Sequence, residues 1–110
     1  MLFRSHIRRF DVDGSRLHNS HIFADDFRPG MTDGLRVDTR GNVWCGMGWS
    51  DPAQDGVRCY APGGDLIGRI HLPEGCANLC FGGRKRNRLF MTASTSVYSL
   101  FVDVQGAQRP

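Results

Sequence analysis

A carboxylate followed by a glycine stands in the middle of the run GMTDGLRVD, residues 30–38. After Asp33, Leu35 and Val37 interleave with Arg36 and Asp38, the period-2 pattern of a half-buried strand. A carboxylate at the mouth of such a strand is placed to hold a hard cation or to take a proton. Gly34 lets the backbone bend tightly beside it. The competing reading is structural, because most Asp-Gly pairs are simply turns.

Other residues carry weaker chemistry. Trp49 and Asp51 fall in a glycine-rich loop, where the indole either stacks on a sugar ring or packs on the rim of the fold. Asp38 reads as a turn or cross-strand partner, and Trp44 as core. Arg84, Lys85, Arg86 and Arg88 form the one basic cluster. Such a cluster can bind phosphates, but here it sits in a turn beside two glycines and reads as a solvated face, so no nucleic-acid partner is expected. His6, His18, His21 and His71 share no metal spacing. No Ser-His-Asp constellation and no G-x-S-x-G elbow is present.

The elements that must position Asp33 are strands. A chain of 110 residues allows one small domain. No apolar run approaches the roughly 20 residues of a membrane helix, so no membrane partner is expected. The net charge of +3 says little about partners. Cys45, Cys59, Cys76 and Cys80 form no C-x-x-C pair. They read as small buried apolar residues of a reducing, cytoplasmic compartment, with a periplasmic location as the alternative. Residues 1–5, MLFRS, fit no pattern, and residues 2–5 match what the end of a common sequencing adapter encodes in one frame. They read as a non-native start.

In order, the chain predicts a hairpin over 6–23 turning at Asp13-Gly14, a polar loop over 24–30, and strands at 35–38, 43–45, 57–60 and 66–72. Further strands are expected at 76–81, 88–92 and 96–104. No stretch carries a sustained helical period, so the class is all-β. An internal repeat is present: Leu35 aligns with Leu79, Val43 with Leu89, and Val57 with Val97. Four-stranded units at a period of about 40–50 residues are the mark of a β-propeller. The count gives two outer strands of one blade, one complete blade and about three strands of the next, roughly two and a half blades. Open blade faces then predict self-association.

The runs TDGLRVDTRGNVWCG, DGVRCYAPGGDLIGRIHLP and CANLCFGGRKRNRLFMTASTSVYSL, in that order, resemble the C-terminal portion of the gluconolactonase, senescence marker protein and luciferin-regenerating enzyme family. The resemblance covers residues 6–106, with 107–110 a tail. It implies a six-bladed propeller with one divalent cation in the central channel, and hydrolysis of sugar lactones to aldonic acids. It implies that Asp33 is a metal ligand and candidate general base, although Thr32 replaces the family's proline. Asn42, in a Gly-Asn turn, does not match the family's asparagine ligand, and that ligand and the glutamate lie upstream of this sequence. Asn78, at the start of the next innermost strand, matches a position where the family often has Asn; it either touches substrate hydroxyls or satisfies its own backbone. An oxygen-rich shell favours Ca²⁺, with Mg²⁺, Mn²⁺ and Zn²⁺ as alternatives.

Two functions follow as expectations. The first is part of a metal-dependent sugar-lactone hydrolase, with Asp33 as catalytic and metal-binding residue, Asn78 and Trp49 at the substrate, and a small sugar lactone as partner. The second is a non-catalytic, truncated propeller module.

Overall fold

The computed structural model describes residues 5–108. The reading of residues 1–5 as a non-native start lies outside it except at Ser5, whose hydroxyl accepts a hydrogen bond from the Thr32 amide at 2.9 Å. Among the described residues, nine strands make three antiparallel sheets: β1 (Ile7–Asp13) and β2 (Arg16–Ala24); β3 (Met31–Val37), β4 (Val43–Gly48), β5 (Gly56–Tyr60) and β6 (Leu66–His71); β7 (Cys76–Gly82), β8 (Arg88–Ala93) and β9 (Val97–Phe101). Among the described residues the helical content is one short 3₁₀ turn, Pro52–Gln54, capped by the Asp51 carboxylate on the Ala53 amide. The all-β expectation holds, and the sheets of two, four and three strands follow the repeat. β3, β4 and β5 occupy the same sheet positions as β7, β8 and β9.

The middle sheet is the most buried of the three. One cluster, with Ala24, Phe27, Cys45, Met47 and Tyr60 buried, packs it against the hairpin and the loop that follows. A second, with Val57, Leu72, Cys76, Leu79, Leu89 and Met91 buried, packs it against the third sheet. Every residue of β5 is buried, so β5 reads as a continuous core strand rather than an alternating one. Trp44 fulfils its core expectation by meeting the Phe81 ring edge-on, with centroids 5.9 Å apart. The β1–β2 hairpin turns at Gly14, whose φ of +58° suits glycine, and is exposed along nearly its whole length.

Three expectations are corrected. Asp33-Gly34 is neither a turn nor a strand mouth: both residues lie inside β3, at a register shift between Thr32 and Leu35. Gly34 supplies space rather than a bend. The loop after β2 is not wholly polar, because Phe27 is fully buried. Cys45, Cys59 and Cys76 are buried, but Cys80 is exposed because it falls on the outward phase of β7.

Candidate active site

β3 and β7 are the first strands of their sheets and lie against each other. Small residues make this approach possible. A Cβ on Gly34 would collide with the Asn78 side chain and lie 2.9 Å from its Cα. A Cβ on Gly46 would collide with the Cys76 carbonyl. The sequence thus places glycine where two backbones meet without room for a methyl group.

Asp33 is exposed on β3 and, among the described residues, forms no ion pair. Its charge is felt by Cys76 on β7. Burial pushes the Cys76 thiol up to about 11, against the lowering effect of its hydrogen bond to Asn78, and the Asp33 charge adds to the rise. Asn78 is exposed one strand away. Its Oδ1 accepts from the Leu79 amide at 2.9 Å, which orients the side chain, and its carbonyl accepts from Cys76 Sγ at 3.3 Å and Thr92 Oγ1 at 3.2 Å. Part of the backbone-satisfying role expected of Asn78 is therefore present.

Trp49 follows β4 with a left-handed φ of +66°. The Asp55 carboxylate holds that conformation by accepting from the Trp49 amide at 3.2 Å. Its ring lies against Gly75, where a Cβ would be 2.8 Å from Cε2, and the residue remains 43% exposed. The indole thus packs at the start of β7 and keeps a free face. Asp33 and Asn78 lie on the adjoining strands β3 and β7, which meet at Gly34 and Asn78; Trp49 reaches the same end of β7 through Gly75.

The donor set decides what the site can hold. Asp33 offers one hard carboxylate and fits as a single ligand of a cation such as Ca²⁺, which takes 6–8 oxygens. Among the described residues, no group of three or more His, Cys, Asp or Glu converges on one point. Other acidic residues have structural employment. The Asp38 carboxylate accepts from the amides of Arg40 and Asn42, from Asn42 Nδ2 and from Trp44 Nε1, at 2.8–3.0 Å. Burial works to raise its pKa, but these four donors outweigh it and hold the carboxyl below its ordinary range. Glu74 accepts from the amides of Thr95 and Ser96 and from the Thr95 hydroxyl, tying the β8–β9 turn. The four histidines, His6, His18, His21 and His71, are exposed.

Sequence reasoning missed one polar centre. Arg58, 4% exposed, donates to the Asp26 carbonyl at 2.8 Å and to Gln54 Oε1 at 2.7 Å, and faces the Asp26 carboxylate at 3.5 Å. The Tyr60 hydroxyl donates to Asp26 Oδ1 at 2.7 Å. This network clamps the loop leading into β3. Its sequence signal is an arginine within the otherwise apolar run of β5, two residues before a tyrosine.

Comparison with known proteins gives the family of the chain. The family model described as the SMP-30/Gluconolactonase/LRE-like region matches residues 3–95. A gluconolactonase of Zymomonas mobilis is 30% identical over 98 residues, which are 80% of this chain and 26% of that protein. The chain thus spans about a quarter of the length of that curated relative. A crystal structure provisionally described as a gluconolactonase superposes with a TM-score of 0.80 at 33% identity, covering 96% of this chain and 34% of that one. A gluconolactonase from Xanthomonas campestris gives 0.73 at 28% identity, covering 87% and 30%. A luciferin-regenerating enzyme gives 0.79 at 19% identity over 94% and 40%, a likeness of fold. With residues 3–95 of this chain matched by the family model, and the strands that carry Asp33 and Asn78 inside that match, the chain belongs to the SMP-30/gluconolactonase/LRE-like family.

Proposed function

We propose that this chain carries the Asp33 side of the reaction centre of a sugar-lactone hydrolase, within part of a six-bladed β-propeller. The three sheets are then two outer strands of one blade, a whole blade, and three strands of the next. The observation that carries this reading is the close approach of Gly34, the neighbour of Asp33 on β3, to Asn78 on β7, the adjoining first strands of two successive sheets. Relatives named gluconolactonase support the same chemistry.

Lactone opening needs water to attack an ester carbonyl, with the ring oxygen leaving as the new hydroxyl. Asp33, exposed and unpaired among the described residues, can orient that water and accept its proton. Asn78, with Oδ1 fixed on the Leu79 amide, has its Nδ2 hydrogens to offer a sugar hydroxyl. The free face of Trp49 can stack on the sugar ring. A divalent cation, Ca²⁺ by donor chemistry, with Mg²⁺, Mn²⁺ and Zn²⁺ behind it, would polarise the carbonyl when bound. The cysteines suit a cytoplasmic location.

The test is acid release from glucono-δ-lactone in a pH-stat, with Ca²⁺ and with a chelator, on this chain and on a longer protein that contains it. Turnover of the longer protein should fall about a thousandfold in Asp33→Ala; unchanged turnover refutes the role. A second reading, a non-catalytic module, is favoured by the apolar residues exposed on β1, β2 and β9. Absence of turnover in both proteins would select it.

A further inference from the structure

The C-terminal ends of β3 and β7 and the segment 105–108 enclose a cleft of about 410 Å³, away from Asp33. Among the described residues its lining holds two arginines, Arg36 and Arg86, and no carboxylate. Both arginines are half-buried, and among the described residues neither forms an ion pair. Each is anchored by a single Nη on a backbone carbonyl: Arg36 on Leu35 at 2.7 Å, Arg86 on Gly106 at 3.0 Å. A guanidinium has five N–H donors, so most of each fork remains for a ligand.

The cleft is built rather than incidental. Arg86 closes the Gly83–Arg86 turn with its amide on the Gly83 carbonyl, and its own carbonyl accepts from the Gly106 amide at 3.0 Å. The Thr39 amide donates to the Gln105 carbonyl, and the Ala107 amide to the Val37 carbonyl, at 2.8 and 2.9 Å. The third sheet and the strand carrying Arg36 are thereby stitched on either side of the cavity. Two half-buried cations in one cleft, with no counter-charge among the described residues, call for an anion, and planar guanidinium forks match the oxygens of carboxylate and phosphate.

We propose that this cleft binds a small oxyanion, a carboxylate or a phosphate, between Arg36 and Arg86. The site is independent of the chemistry at Asp33.

Cys80 lines the same cleft and is the exposed one of the four cysteines. It is a built-in reporter. The full chain is alkylated with iodoacetamide at constant ionic strength, with increasing inorganic phosphate in one arm and gluconate in another, and modification of Cys80 is followed by peptide mass mapping. Saturable protection of Cys80 is expected in at least one arm. Protection by phosphate alone names phosphate as the ligand, protection by gluconate alone names carboxylate, and protection by both names oxyanions generally. Arg36→Gln and Arg86→Gln should each weaken protection at least about fivefold in half-maximal concentration. Arg36→Gln is the safer variant for the fold, because that side chain's hydrogen bond stays within its own strand. Continued silence of Cys45, Cys59 and Cys76 shows that a variant is folded. Absence of protection in both arms, or protection that survives in both folded variants, overturns the proposal.

Discussion

Gly34 of β3 and Asn78 of β7 meet without room for a single methyl group between them: a Cβ at Gly34 would lie 2.5 Å from Asn78 Cγ and 2.9 Å from its Cα. Because the obstruction includes main chain, it cannot be relieved by a rotamer change alone. Gly34→Ala should therefore part the two strands and cost about 2–3 kcal/mol. Asn78→Ala in the same background removes the amide but not Cα, so it should restore only part of the loss. A double-mutant cycle on urea midpoints reads this coupling. An unchanged midpoint in Gly34→Ala would show that the strands do not approach this closely.

Asp38 supports the β3–β4 turn from inside the core, with four donors on its two oxygens. Its pKa is lowered in the folded state. The charged form is thus favoured by folding: the contribution is fully present above the unfolded carboxyl pKa near 3.9 and is lost as the pH falls through the lower folded value. Asp38→Asn puts an NH₂ where two donors already point, and should cost about 3 kcal/mol at neutral pH. Acid unfolding between pH 5 and 2 checks both claims. In the variant the stability loss over that window should shrink, because the group that titrates is gone.

How much of this was readable without coordinates depends on the residue. Strands with alternating or short apolar runs, such as residues 57–60 and 66–72, declare themselves by period, and their bounds nearly coincide with β5 and β6. The turn role of Asp38 and Asn42 was legible because Asp and Asn beside glycine bond to nearby backbone. Phe27 was not legible, since one aromatic in a polar loop has no period. Gly34 misled because Asp-Gly favours turns locally, and the crowding that selects glycine there comes from a strand 44 positions away in sequence. Asp33 was legible as a candidate, yet the approach of its strand to Asn78 depends on sheet packing that no local pattern encodes.

The Arg58 network ties the loop before β3 to β5 through Asp26 and Gln54. Arg58 is buried, whereas the Asp26 side chain is half exposed, so water offsets part of the ion pair. Most of the value then lies in the hydrogen bonds and in the packing of Arg58 over the Phe27 ring. Tyr60→Phe should cost about 1 kcal/mol and Arg58→Ala about 3 kcal/mol. Hydrogen exchange of residues 25–30 should quicken in both, while β8 and β9 stay protected. Uniform acceleration across the chain would mean that the network holds the whole fold rather than this loop.

The thiols offer a base-side counterpart. Burial, with the Asp38 and Cys45 charges adding, pushes Cys59 up to about 12, and Cys76 rises to about 11, from an ordinary 9.0. Folded, these groups keep their protons to higher pH than they do unfolded. Stability is therefore intact below about pH 9 and declines as the pH climbs from there through the folded values. Native alkylation at pH 8 should modify Cys80 first, with Cys45, Cys59 and Cys76 following at the rate of unfolding. Equal rates at all four would place the buried three in solvent.

The outer surfaces of the first and third sheets pose a different problem. Phe10, Val12, Leu17 and Ile22 on the hairpin, and Val97 and Phe101 on β9, are all at least 40% exposed. A two-stranded hairpin is at best marginal when unsupported, and the exposure of nearly all of β1 and β2 leaves them few contacts to offset the cost of ordering. Covering these residues recovers apolar burial, so the isolated chain is expected to self-associate at micromolar concentration, through the hairpin, β9 or both. Sedimentation velocity on the chain, on Val12→Lys/Leu17→Lys and on Val97→Lys/Phe101→Lys separates the faces. The pair of substitutions that restores a monomer identifies the associating one. A monomer in the unsubstituted chain, with slow exchange along β1 and β2, would mean that the hairpin is stable without any cover.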